Sequence, residues 1–367
     1  MNQAKPFCRI SNKQQGMKAG GHLREQFREN IRGQLRGKVT ISKMGHAPHT
    51  GARYDRGPEP DYITPHGLKE RRPPDLYYEA KKETLIMLYR HTLLTAEQLA
   101  ISLNYKPKTI YNISCELKEK GLIRTIPLPF LKRNHVGYTL TAFGARAGAS
   151  LAGDETVFRA KAWEAGPVQI EHFFGTNAFI TDVIRHSISH AEEGMLEWLD
   201  PRSAAERYVQ SKKTGKAAAP VKPDGFGMYL FPDRGRLAFH LEYDTGTETL
   251  WRLKDKLFHY GTLLPTIWPK VEAVQVLFVT KIESRPKTII DIWEALMKGT
   301  FKNDRLPSVW AISEKDWKQK GVGGTLWLGS GGQRLRLKDM QLLPTLADPL
   351  DPLLGKQPRE LPPKTRR

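Results

Sequence analysis

Three carboxylates, Asp224, Glu242 and Asp244, are spaced so that a β-sheet could gather them. Pro223-Asp224 opens one β-prone run, and His240-Leu241-Glu242-Tyr243-Asp244 closes the next. Side chains alternate faces along a strand with period two, so Glu242 and Asp244 share one face while Leu241 and Tyr243 take the other. If the strand carrying Asp224 pairs beside them, an acidic cluster forms at one end of the sheet. Like charges this close repel unless a cation sits among them, and hard oxygen donors favour Mg²⁺ or Mn²⁺ over softer metals.

The elements that would position the cluster follow from hydrophobic periodicity. Residues 171–190 carry Phe173, Ile180, Ile184 and Ile188 on one helical stripe, with Glu171-His172 at its start. A strand is expected over 195–199, then a Lys-rich loop over 204–219. Strands over 226–231 and 237–243 are joined through Pro232-Asp233-Arg234-Gly235-Arg236, a hairpin signal. A helix over 247–263 places Leu250, Leu253, Leu257 and Tyr260 inward, with Arg252, Lys254 and Lys256 at polar or mixed positions. The apolar run 274–279 suits a buried strand, and 289–297 another helix. The order is αβββαβα. Gly148, Gly153 and Gly166-Pro167 interrupt the periodicity ahead of it and mark a boundary between two folded blocks near residues 150–165.

The first block is helix, helix, helix and hairpin. Residues 75–91 carry Leu76, Leu85, Leu88 and Tyr89 on one stripe, without Gly or Pro. Thr95-Ala96-Glu97-Gln98 matches a capping box, which starts a short second helix. A third runs over about 108–120, with Ile110, Ile113 and Leu117 inward and Gly121 as its C-cap. Its other face carries Lys108, Thr109, Tyr111 and Asn112; Cys115 is expected to be a small packed residue. β-prone runs at 122–126 and 136–140 flank a connector holding Lys132 and Arg133. This is the order of a winged helix-turn-helix, whose third helix enters the major groove while the wing touches the backbone. Lys106, Lys108, Lys132 and Arg133 would meet phosphates, and Thr109, Tyr111 and Asn112 base edges. The alternative is a solvated helix face with a wing packed on protein.

The second block resembles the core of the PD-(D/E)xK nuclease superfamily, on the strength of Pro223-Asp224, Glu242 and the element order. The resemblance implies an Asp and a Glu that hold a divalent ion and a Lys two residues after the Glu. Here Asp244 stands where that Lys would be. Lys254 or Lys256 on the next helix could supply a migrated ammonium that stabilises developing charge, and Glu171 the first-helix acid. The whole of residues 75–300 resembles the replication-relaxation family of plasmid and mobile-element proteins: a winged helix, then His172, Pro223-Asp224, Glu242-x-Asp244-x-Gly246-Thr247-Glu248, Lys256 and Tyr260. That resemblance implies DNA binding in plasmid replication or mobilisation, and does not itself imply cleavage. Alternatives are an active Mg²⁺-dependent endonuclease or nickase and a winged-helix transcriptional regulator.

Composition points the same way. The 367 residues hold 58 Lys plus Arg against 39 Asp plus Glu, a net charge of +19, which suits a phosphate-rich partner and predicts salt-sensitive binding. Residues 1–74 are a low-complexity basic tail, the first forty carrying nine Lys or Arg against Glu25 and Glu29. The expected domains are therefore this tail, a winged helix over 75–150, a restriction-endonuclease-like α+β or α/β domain over 165–330, and a Pro-rich basic tail over 345–367. Cys8 and Cys115 make neither a disulfide framework nor a four-ligand zinc site. The glycine runs at 321–324 and 329–332 lack the Lys-Ser/Thr of a nucleotide-binding P-loop. A tyrosine relaxase would need a His-hydrophobe-His metal triplet, and His46 and His49 do not form one. No apolar run reaches about 18 residues, so a soluble, cytoplasmic protein is expected, with no membrane partner. Double-stranded DNA is the primary partner, with single-stranded origin DNA, a second copy of the chain, or replication and mobilisation proteins as further candidates.

Overall fold

The structure, a computed structural model, describes residues 74–131, 135–157, 164–190, 193–206, 208, 221–268, 270–301 and 305–343. Both basic tails lie outside these residues, as do Lys132 and Arg133.

The first unit starts with helices α1 (Pro74–His91), α2 (Ala96–Leu103) and α3 (Pro107–Glu119). Gln98 donates its backbone N–H to Thr95 Oγ1 at 3.2 Å while Gln98 Oε1 accepts from Thr95 N at 2.9 Å, so the capping box forms as the sequence predicts. Pro107 opens α3 at a position whose N–H would have no intrahelical partner. Leu85, Leu88, Tyr89, Leu99, Ile110, Ile113 and Leu117 are buried together. Strands β1 (Ile123–Pro127) and β2 (Val136–Leu140) pair antiparallel, and Leu94 bridges to Tyr138 on their edge. A further helix, α4 (Ala142–Ala152), packs on α1. Of the glycines that signal a break in the sequence, Gly153 does end this helix, as a left-handed C-cap, and Gly166 caps the start of the next, but Gly148 lies inside it, where a Cβ would meet the Tyr89 side chain at 2.8 Å. Gly148 permits close approach to α1 instead of ending a helix.

The second unit begins with α5 (Pro167–Ser189) and continues through β3 (Gly194–Leu199), a short α6 (Pro201–Glu206), β4 (Gly225–Phe231), β5 (Gly235–Asp244), α7 (Leu250–Ile267), β6 (Val274–Thr280) and α8 (Arg285–Gly299). It then adds β7 (Ser308–Ser313), α9 (Glu314–Gly324), β8 (Trp327–Leu328) and β9 (Arg334–Leu335), which periodicity does not predict. One mixed sheet runs β3-β4-β5-β6-β7-β8-β9, with β5, β6 and β7 parallel at its centre. Every residue of β6 is buried, as a central parallel strand requires. Phe179 of α5 packs on Phe239, on the sheet face that carries Leu241 and Tyr243. Leu253, Leu257 and Tyr260 of α7, with Ile289 and Trp293 of α8, cover Ala238, Val276 and Phe278 on the other. Two expected core positions differ. Thr249 caps α7, accepting from Arg252 N, which leaves Leu250 in the first turn and exposed; Ile188, near the end of α5, is also exposed.

The two units share their core. Asn177 of α5 donates from Nδ2 to the carbonyls of His91 and Leu93 at 2.9 and 2.8 Å. The His91 ring stacks on Trp198 at 3.7 Å, and burial pushes its pKa down to about 3 despite nearby Asp200. Arg202 Nη2 donates to Asp154 Oδ2 at 2.6 Å. The connector between β1 and β2 also faces inward: Leu128, Phe130 and Leu131 pack against Ile170, Phe173 and Phe174 of α5. This part of the connector packs on the second unit, while Lys132 and Arg133, expected to meet phosphates, lie outside the described residues.

Candidate functional site

Asp224 immediately precedes β4 and is fixed by both neighbours. Its backbone N–H donates to Leu241 O at 3.0 Å, and its Oδ2 accepts from Tyr243 N at 2.8 Å. His172 of α5 places Nε2 3.0 Å from the same oxygen. It reaches there because Gly175, one turn later, lets α5 lie directly on the Tyr243 ring, where a Cβ would fall 2.1 Å from Cζ. Glu242 projects from β5 toward α7, where Lys256 Nζ donates to Oε2 at 2.9 Å and the Tyr260 hydroxyl donates to Oε1. Lys256 and Tyr260 stand one turn apart and so address one carboxylate together. Lys256 also lies 3.3 Å from Glu248. Asp244 ends β5, accepting from Arg285 Nε at 2.7 Å and Gly246 N at 2.7 Å.

Of the expected site residues, Asp224, Glu242 and Lys256 come together. Lys254 does not: it is exposed on the outer side of α7. Glu171 pairs with Lys281 at 2.5 Å, and Asp244 is committed to Arg285. Arg285 escapes a sequence reading because nothing local links it to a strand end 41 residues earlier. The nearest usable signal was its place after a buried parallel strand, where loops meet at the carboxyl edge.

Burial raises the Glu242 pKa to about 7, with Asp224 adding to the effect and Lys256 and Tyr260 opposing it. Burial works the same way on Asp224, but His172, Lys256 and the Tyr243 N–H together hold its carboxyl below the usual range. His172 is desolvated, yet Asp224 and Glu242 raise its pKa above 6.5. Lys256 likewise loses hydration but is held above its ordinary value by Glu242, Asp224 and Glu248.

A divalent ion does not fit these carboxylates as they are arranged. Both Glu242 oxygens and both Asp244 oxygens accept from protein donors, and the Glu242 side chain is 2% exposed. Among the described residues, no group of three His, Cys, Asp or Glu side chains is disposed to hold a metal. Repulsion within the acidic set, from which Mg²⁺ or Mn²⁺ binding was expected, is instead relieved by Lys256, Arg285 and His172.

The second set of expected residues lies on α3. Ile110, Ile113, Ser114 and Leu117 are buried, while Lys106, Lys108, Tyr111 and Asn112 are exposed, Tyr111 at 58%; Thr109 is half-buried. Cys115 is also exposed, where a packed position was expected. Its place three residues after Asn112 puts it on the outer face.

A profile of replication-relaxation proteins matches residues 85–273, just over half of the chain. The chain belongs to the replication-relaxation family. The matched region of this replication-relaxation protein runs from α1 to the start of β6, so it includes His172, Asp224, Glu242, Lys256 and Tyr260 and leaves Arg285 outside. No curated protein matches. Among solved structures, a MarR family transcription regulator aligns at 19% identity over 48% of this chain and 91% of its own, with a TM-score of 0.20. Among the described residues of the replication-relaxation protein, no helix is long and apolar enough to cross a membrane.

Proposed function

We propose that this protein binds duplex DNA through α3 in the replication or mobilisation of a plasmid or other mobile element, and that its sheet unit is a nuclease-like scaffold without hydrolytic activity. The observation that carries the reading is the outer face of α3. Lys106 and Lys108 stand at its start, and Tyr111 and Asn112 follow at helical spacing in solvent. A helix presented this way can put an amide against an adenine edge while lysines meet phosphates. The net charge of +19 and the family membership support it. The order αβββαβα around Asp224 and Glu242, interrupted by the short helix Pro201–Glu206, supports a restriction-endonuclease-like core, while the closed ion-pair network supports its being a scaffold.

Selection from a randomised duplex pool tests the reading. The wild type is expected to enrich a preferred sequence, Asn112→Ala to lose about 1–3 kcal/mol of discrimination at one position, and Lys108→Ala to weaken all sequences alike. No enrichment and no duplex binding would sink it. A second reading, metal-dependent cleavage, is supported by the meeting of Asp224, Glu242 and Lys256, the trio that a lysine displaced onto α7 would complete, and requires Glu242 to exchange its protein donors for the ion. Nicking of supercoiled plasmid with Mg²⁺ or Mn²⁺, lost in Glu242→Gln and in Lys256→Ala, would establish it over the scaffold.

A further inference from the structure

Trp251 stands apart from the other described tryptophans. Trp198, Trp268, Trp293, Trp310, Trp317 and Trp327 are buried, whereas Trp251 is 72% exposed in the first turn of α7. Leu250 beside it and Phe258 two turns later are exposed as well. Positions 251, 254, 255 and 258 follow one helical face, so Lys254 and Asp255 lie between the two rings, with Asp255 turned to His259 at 3.5 Å. Arg252 and Lys254 are both exposed and form no ion pair among the described residues. Leaving an indole in water forgoes the burial that large aromatic side chains ordinarily gain, and the scaffold interior has no part in holding it there.

We propose that this outer face of α7 binds single-stranded DNA, Trp251 stacking on an unpaired base while Arg252 and Lys254 meet the flanking phosphates. An aromatic platform between cations is the composition that takes a strand without reading its sequence. Duplex DNA does not supply the ligand, because its bases already cover one another's faces. A second copy of the chain is disfavoured by charge, since the face sets Arg252 and Lys254 against Asp255 alone and pairing two such faces leaves an excess of like charge. The proposal rests on the DNA-binding reading above, but uses α7 where that reading uses α3.

Anisotropy titrations of the full chain with oligo(dT) of about 20 nucleotides, long enough for one binding site, run beside a random duplex of similar length, test it. Trp251→Ala is expected to lower oligo(dT) affinity about tenfold, the loss of one stacked base, with duplex affinity unchanged. Trp251→Phe should retain most of it, and the Arg252→Ala/Lys254→Ala double variant should bind oligo(dT) with a shallower salt dependence. Unchanged oligo(dT) binding in Trp251→Ala overturns the proposal, as does an equal loss on duplex. Concentration-dependent dimerisation that Trp251→Ala abolishes overturns it in favour of self-association. Wild type that binds duplex but not oligo(dT) removes this site and leaves the α3 reading standing, whereas binding to neither removes both.

Discussion

Glu242 carries more consequence than any other single side chain, because it is held between an ammonium and a phenol with almost no access to water. Its carboxyl holds a proton to about pH 7 in the fold but would release it near 4.5 when unfolded. Between those values the native state binds more protons than the unfolded state, so stability falls as pH rises across the window. The span corresponds to an effect on the order of 3 kcal/mol. His172, also raised, adds a loss of the same sign as pH climbs above 6.5. Asp224, lowered, opposes them only in acid, where its contribution disappears as pH drops below 3.8. His91, which burial holds down to about 3, works against Glu242 over the same range, because the unfolded chain takes up its proton as pH drops below 6.5 while the native state does not, so the two contributions offset each other. The Glu242 contribution is read by difference: from pH 4.5 to 7 the stability of Glu242→Gln, which cannot titrate, should rise relative to that of the wild type in denaturant titrations. A variant curve parallel to the wild type would mean that Glu242 is ionised throughout.

At the scale of elements, the approach of α5 to the sheet sets where His172 can reach. Gly175 makes the contact with Tyr243, and its substitution pits two effects against each other. Alanine gains roughly 1 kcal/mol in an open helix interior. Against a ring 2.1 Å from the new Cβ, overpacking costs about 1–3 kcal/mol and shifts the backbone. The clash should win, so Gly175→Ala is expected to lower the denaturation midpoint. It should also return the His172 pKa, followed by NMR, toward 6.5 as the imidazole draws away from Asp224. A stabilised variant with His172 unchanged would remove the close-approach argument. The same pair of elements separates what sequence reveals from what it hides. The strands around Asp224 and Glu242, the capping box at Thr95 and the inward face of α3 are legible because each repeats a period of two or 3.6 or a fixed capping spacing. Helix α4 is not, since Gly148 inside it marks contact with Tyr89 of α1 and local rules read it as a break. Nor is the docking of Leu128 and Phe130 on α5, nor the grip of Arg285 on Asp244, because those pairings join segments with no shared periodicity.

For the whole molecule, the question is whether the helical unit and the sheet unit respond as one body. Phe179, Trp198 and Tyr243 of the sheet unit belong to the same buried cluster as Leu88, Leu99 and Ile110 of the helical unit. Asn177 adds direction to that apolar contact by satisfying two carbonyls, His91 O and Leu93 O, at the turn between α1 and α2. Buried carbonyls left without donors cost about 1–3 kcal/mol each, more than a typical paired bond contributes, so the loss on removing Asn177 should exceed that of an ordinary side-chain bond. A calorimetric scan of the wild type should give one transition over the described units. Asn177→Ala should lower its midpoint by several degrees, about 2–4 °C for each kcal/mol in a chain of this size, while the transition stays single because the apolar contact persists. Two well-separated transitions in the wild type would show that the shared cluster does not couple the units. The orientation of α3 would then be independent of the sheet, and the packing of the β1–β2 connector against α5 would have no part in the DNA contact proposed for α3.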